Sequence, residues 1–204
     1  FDAAREVLLS ADLLVGHVET PYTLRGQELQ SDIPAEAADP AKLAALARAG
    51  FHGASLAGNH VFDRGAEGIE DTVGGLRENG IAPFGAGPNL AAARAPAILE
   101  KNGKRFGFLS YNCVGPKDSW ASPSKAGCAY VHVLSHYEQE GANPGGPPLI
   151  YTFATPASLE AMQADIEALR GQVDVVVVAL HKGLVHPPAQ LAMYERPVAR
   201  AAIE

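Results

Sequence analysis

Basic clusters, long apolar runs and cysteines are all scarce in this sequence, and each scarcity removes a class of protein. The 204 residues carry 16 Lys and Arg against 23 Asp and Glu, a formal net charge of −7, with the cations scattered singly. Phosphate backbones are normally met by a basic face, so nucleic acid is not an expected partner. No apolar run approaches the roughly 18 residues of a membrane span, and no signal peptide opens the chain. Only Cys113 and Cys128 are present, so no disulfide framework carries the fold; the pair reads either as one bridge or as two reduced thiols. A GxSxG elbow is missing, and "GAGPN" at 85–89 is glycine-rich without phosphate-loop spacing.

What is present is the composition of a globular domain, 47% hydrophobic and 19% charged, over a length that can build a sizeable core. The chain begins at Phe1 and stops at "VARAAIE", inside a helical pattern. The expectation is one domain over 1–204, cut at both ends.

Periodicity gives the order of elements. A helix over Asp2 to Ser10 precedes a short buried strand in "ADLLVG". "DPAKLAALARAG" has Asp39 as N-cap, Pro40 at the first position and Gly50 as a stop. "FHGASL" is a second strand, followed by a helix from about Ala66 to Asn79 with Ile69, Val73 and Leu76 on one face. "IAPFGAG" holds a third strand. "APAILEKNGKRFGFLSYN" reads as a hairpin turning at Asn102-Gly103. Residues 112–155 lack period, with one strand-like piece at "AYVHVL", and read as a long excursion of the functional kind. A helix over Thr155 to Arg170, a fully buried strand at "VDVVVVAL" and a last helix from Pro188 to Glu204, kinked at Pro197, complete the chain. The alternation predicts an α/β layered fold, helices covering a largely parallel sheet.

Ligands of such sheets sit at the carboxyl ends of the strands. There "LLVG" delivers His17 and Glu19, "GASL" delivers Asn59, His60 and Asp63, and "VVVAL" delivers His181, with His186 nearby. Imidazole nitrogen with carboxylate or amide oxygen suits a borderline or hard divalent ion such as Zn²⁺ or Mn²⁺. Each residue also has a plainer reading. A lone strand-end His is usually hydrogen-bonded packing, Asp63 can cap the next helix, Asn59 can make an Asx-turn, and Glu19 can act as a base or orient a neighbouring imidazole. Convergence of three loops favours the metal. His132 and His136 look like a metal pair, but a strand spacing of four, at roughly 3.3 Å per residue, leaves them about 13 Å apart. They are expected to face a substrate or simply to pack, and Trp120 and Tyr130 to line a pocket or merely to anchor their loop.

Four stretches, "ADLLVGHVETPYT", "AGFHGASLAGNHVFDRGAEGIEDTVGGLRENGIAPFGAG", "APAILEKNGKRFGFLSY" and "VDVVVVALHKG", resemble the bacterial CapA family of capsule, or poly-γ-glutamate, synthesis proteins. That family is similar to the calcineurin-like metallophosphoesterases. The most specific element is Asn-His-x-x-Asp-x-Gly, here Asn59, His60, Asp63 and Gly65. The resemblance implies an αββα sandwich with a divalent metal (Mn, Zn or Fe) at the strand ends. It implies Asn59 and His181 as metal ligands, Glu19 as ligand or base, and His60 as the acid beside them. His17 would complete or orient the ligand shell, and Asp63, His132, His136 and Trp120 would lie toward substrate. This sequence has Gly16-His17-Val18-Glu19 where the family has Gly-Asn-x-Glu, and it lacks the family's opening Gly-Asp strand and its later Gly-His-x-x-His motif.

The implied function is metal-dependent hydrolysis of a phosphate ester or an amide or ester bond, in a small molecule or a polymer. The rival is a non-catalytic capsule component that binds polymer. A cytoplasmic location is expected, with membrane anchoring or secretion if an anchor precedes Phe1.

Overall fold

The computed structural model describes residues 2–29, 37–139, 141–142, 145–184 and 189–204. His186 and the expected helix start at Pro188 lie outside them. In chain order the elements are α1 (Arg5–Leu9), β1 (Val15–His17), α2 (Leu43–Arg48), β2 (Gly53–Ser55), α3 (Gly65–Glu78), β3 (Ala82–Phe84), β4 (Ala86–Gly87), α4 (Leu90–Arg94), β5 (Ala97–Lys101) and β6 (Lys104–Asn112). Then come β7 (Gly127–Cys128), β8 (Val133–Glu138), β9 (Leu149–Ala154), α5 (Pro156–Arg170), β10 (Val175–His181) and α6 (Glu195–Ala201). Local chemistry accounts for several boundaries. Asp39 accepts from the Ala41 amide at 2.9 Å, and Pro40 opens the 3-10 turn before α2. Asn102 and Gly103 both take positive φ, 54° and 70°, as the two-residue turn between β5 and β6 requires.

The described strands form four sheets, and the two three-stranded ones make the layers. β1, β2 and β3 form a parallel sheet in that order, while β10, β6 and β5 form a second in which only β5 runs antiparallel. Three apolar clusters show how the layers stack. Phe84, Ala97 and Phe108 meet between the sheets, joined by Val15, Leu99 and Ala179, and the rings of Phe84 and Phe108 lie 5.7 Å apart. Leu43, Leu56, Ile69, Leu76 and Ile81 join the first sheet to α2 and α3. Leu109, Tyr111, Met162, Ile166, Leu169 and Val198 join the second sheet to α5 and α6. Period-2 alternation makes this possible, since Phe106 and Phe108 of β6 face the other sheet while Leu109 and Tyr111 face the helices. The architecture is therefore an αββα sandwich.

Three expectations change. Among the described residues β10 is an edge strand rather than a fully buried one, with Val175 and Val177 42% and 39% exposed. The excursion holds a two-stranded ribbon, β8 with β9, in which His136 pairs with Tyr151. Pro197 causes no kink, because it sits in the first turn of a shorter helix, where a missing N–H removes no intrahelical bond. Cys113 and Cys128 are free and buried, and burial raises their thiols to about 12 and about 11. Among the described residues no helix is long and apolar enough to cross a membrane.

Candidate functional site

Because β1 and β2 are parallel and neighbouring, their carboxyl ends release His17 and the 56–64 loop on the same side. β10 belongs to the other sheet. Its last residue, His181, stands opposite Asn112 of β6, and Cys113 N donates to the His181 carbonyl at 2.9 Å. The two sheets thus open at one end, and the loops meet there. His181 Nε2 donates to Asn59 Oδ1 at 2.8 Å. The same nitrogen lies 3.6 Å from Glu19 Oε1, with Glu19 half exposed. The imidazoles of His17 and His181 stack with centroids 4.8 Å apart, and His17 Nδ1 is 3.2 Å from Ser55 Oγ.

His60 bonds within its own loop. Its Nδ1 bonds Asp63 Oδ2 at 2.7 Å, and the imidazole is 25% exposed above a carboxylate that is 1% exposed. Asp63 was expected toward substrate. Its burial beneath His60 makes it instead the group that orients that ring. Its Oδ1 has no hydrogen-bond partner among the described residues, and burial raises its pKa against the opposing pull of His60.

The supports of these loops lie outside the motif. Tyr22 N donates to Thr72 Oγ1 at 2.8 Å, Leu29 N to the Asp63 carbonyl at 3.1 Å, and Arg25 grips Asp71 and Glu70. The strap that follows Glu19 is thereby fixed to α3. On the far side, Gly115 takes φ +78, and a Cβ there would stand 2.2 Å from Asn59 Cβ. The loop after β6 therefore abuts the Asn59 side chain closely, in a conformation that favours glycine. Past His181, Lys182 pairs with the buried Glu195, which also accepts from Ala192 N at 2.8 Å. That pair ties the end of β10 to α6.

The remaining predicted residues separate. Trp120 stacks on Tyr130 at 4.2 Å, and His132 meets Trp120 edge-on at 4.9 Å. Tyr130 and His132 line a cavity of about 280 Å³ with Arg94, Tyr111, Ser158 and Met162. Arg94 is held there by a two-pronged bond to Asp165 at 2.6 and 2.8 Å. His136 lies elsewhere, on the exposed ribbon against Tyr151. It has no place in this cavity, because the chain leaves the sandwich after residue 133.

Can these side chains hold a divalent ion? The expected ligands His17, Glu19, Asn59 and His181 form no ready cage: among the described residues no three His, Cys, Asp or Glu are arranged to hold a metal. The reason is visible: His17 turns its Nδ1 to Ser55 and lays its ring against His181. The three atoms His181 Nε2, Asn59 Oδ1 and Glu19 Oε1 nevertheless stand 2.8 and 3.6 Å apart about the nitrogen. Ligands about 2.1 Å from one ion sit roughly 3.0–3.5 Å from one another, so both separations fall just outside that range, and it is the imidazole, amide and carboxylate chemistry that suits a borderline divalent cation. Burial lowers the pKa of both His17 and His181. Neutral imidazole, the form that ligates, is favoured at both. The residues with no signal in the motif are Ser55, Ser110, Gly115 and Lys182. Only the two serines left a trace, as polar residues inside buried strands.

Comparison with known proteins gives four findings. The family model described as Bacterial capsule synthesis protein PGA_cap matches residues 1–204. A Mycobacterium tuberculosis protein named "Probable polyglutamine synthesis accessory protein" is 31% identical over 116 residues, 55% of this chain and 30% of that protein. The capsule biosynthesis protein CapA of Bacillus anthracis is 25% identical over 180 residues, 86% of this chain and 38% of its own length. The chain thus spans well under half the length of these curated relatives. Among solved structures, the NAD nucleotidase of Haemophilus influenzae overlaps 71% of this chain and 24% of its own at 19% identity and a TM-score of 0.40, a loose likeness that transfers no activity.

Proposed function

The chain belongs to the bacterial capsule synthesis protein family PGA_cap, and we propose on that premise that it is a metal-dependent hydrolase whose centre lies where the two sheets open. The observation that carries this reading is the meeting of His181 Nε2 with Asn59 Oδ1 at 2.8 Å and Glu19 Oε1 at 3.6 Å, from three loops distant in sequence. Asn59, His181 and Glu19 would hold a divalent ion (Mn, Zn or Fe), with His17 beside them. When bound, the ion supplies Lewis acidity and a nucleophile at neutral pH.

The chain's own groups do the rest. His60 keeps one proton on Nδ1, bonded to Asp63, and its other nitrogen holds the proton that passes to the leaving atom. Asp63 fixes the ring and stabilises the imidazolium before transfer. Glu19, half exposed, can reorient as charge changes at the site. Trp120, Tyr130 and His132 form the wall on which a substrate would be oriented. The scissile bond is a phosphate ester, or an amide or ester of a γ-glutamyl polymer.

One observation favours a second reading. His181 Nε2 is already satisfied by Asn59, and no ready cage is present among the described residues, as suits a capsule component that binds polymer without turnover. Metal content separates the two. Full-length protein purified without chelators is expected to carry stoichiometric Mn, Zn or Fe by plasma mass spectrometry, and Asn59→Ala and His181→Ala to lose it. A well-folded, metal-free parent that also takes up no added Zn²⁺ or Mn²⁺ would sink the hydrolase reading.

A further inference from the structure

We propose, resting on the hydrolase reading, that Lys125 is a positioning residue whose ammonium locks the loop bearing Trp120 onto the loop bearing His60. Lys125 closes a tight turn, Ser122-Pro123-Ser124-Lys125. There Ser122 N donates to the Lys125 carbonyl at 3.1 Å and Lys125 N to the Ser122 carbonyl at 3.4 Å. Serine first and proline second suit such a turn. The chain doubles back through it, with Ala121 N donating to the Cys128 carbonyl at 3.0 Å. The Lys125 ammonium therefore reaches the stretch that led into the turn. Its Nζ donates to the carbonyls of Asp118, Trp120 and Ala126 at 2.5, 3.0 and 3.4 Å. An ammonium has three protons and no acceptor, so three carbonyls use all of them. The ring of Phe62 also lies over it, with Nζ 3.9 Å from the centroid.

The carbonyls belong to the excursion, whereas the ring belongs to the motif loop, between His60 and Asp63. One charge thus holds both. Hydrogen bonds from a charged donor are stronger than neutral ones, and a cation is drawn to an aromatic face whichever way its protons point. A neutral side chain of the same length offers neither attraction, and it leaves part-buried carbonyls without their donor. The consequences run in two directions. Trp120, held by its carbonyl, stacks on Tyr130 at 4.2 Å and meets His132 at 4.9 Å, so the ammonium fixes the base of the wall. Phe62 packs with Val61 and Ile69 against the first sheet and is followed by Asp63, which orients His60. The contact of Gly115 with Asn59 joins the same two segments by close packing alone. The Lys125 seam joins them by charge, which can be removed and given back.

Trp120 is the only tryptophan in these 204 residues, so its emission reads the wall directly, with Trp120→Phe of the full-length protein supplying the background. Lys125→Ala deletes n-propylammonium from the side chain and leaves its place open. The variant is expected to emit at longer wavelength and to be quenched more readily by acrylamide. The His60 imidazole signals in ¹H–¹⁵N spectra, identified with His60→Gln, should be displaced, while circular dichroism stays parental. Added n-propylammonium should restore both readouts. Neither n-propanol, which lacks the charge, nor tetramethylammonium, which lacks N–H donors, should do so. Lys125→Met keeps the stem, so it should show the same displacements and no response to n-propylammonium. Parental Trp120 and His60 signals in either folded variant overturn the proposal, as does equal restoration by n-propanol. A Lys125→Ala chain that folds only with n-propylammonium supports it. Where the parent turns over a substrate, kcat should fall in Lys125→Ala and recover with n-propylammonium, at parental metal content. A parent with no metal and no turnover refutes the hydrolase reading, while emission and imidazole signals still decide the role of Lys125.

Discussion

His17, His60 and His181 come from three distant loops and gather at one end of the sandwich, whereas His132 and His136, four residues apart, have nothing in common. The first set is gathered by topology. Parallel neighbours β1 and β2 release their side chains on one side, and β10 brings His181 to the same end from the facing sheet. The second set is scattered by strand geometry, since each residue of extended chain advances about 3.3 Å. His132 ends against Trp120 and His136 against Tyr151. Nearness along a chain therefore says little about meeting in space, and the ends of parallel strands say more.

The contrast breaks most sharply at the ligands. His181→Ala is expected to weaken Zn²⁺ binding by at least the 10–100-fold that loss of a supporting residue alone produces, read by calorimetric titration, with Asn59→Ala close behind. Next comes proton transfer. His60→Ala is expected to lower kcat about a hundred- to ten-thousand-fold on whichever ester or γ-glutamyl substrate the parent turns over. Metal content should stay parental, and Asp63→Asn should follow the same pattern more weakly.

A smaller effect comes from pH. Burial is the main cause of the lowered pKa of His17 and His181; His181 lowers His17 further, Glu19 opposes the shift at both, the Ser55 carbonyl opposes it at His17, and His60 adds to it at His181. The unfolded chain protonates these rings below about 6.5 while the folded chain resists. Unfolding free energy therefore rises with pH between the depressed values and about 6.5, and stability is lost on acidification through that window. The thermal midpoint should drop between neutral pH and about pH 5.5, with a shallower drop in His17→Gln. The smallest effect belongs to the other set. His136→Ala, on an exposed strand, should change stability by no more than about 0.5 kcal/mol in denaturant unfolding and leave metal content alone.

Much of the sandwich was legible because its signals are local. The Asn102-Gly103 turn, the Asp39 cap and the stripe of Ile69, Val73 and Leu76 each depend on a few neighbouring residues, and each appears where the pattern places it. Facts that depend on distant pairing were not legible. Nothing in "VDVVVVAL" tells that β10 lies at an edge, and nothing in "LIYTF" tells that it pairs with 133–138. The spacing of Asn59, His60 and Asp63 marked a loop, and the structure brings its Asn59 to His181. The direction of Asp63, inward beneath His60, depends on how α3 packs and could not be read from spacing. Ser55 and Ser110 are 55 positions apart, and only the stacking of two sheets makes them neighbours.

Gly115 touches the candidate centre without owning a side chain. In a saturation scan scored by function, position 115 would therefore stand among the intolerant positions, in the company of Asn59 and His181. To a lineage drifting under selection, that position is a closed door. Substitutions at positions outside that contact leave it untouched, but at 115 the loop passes Asn59 with bare backbone.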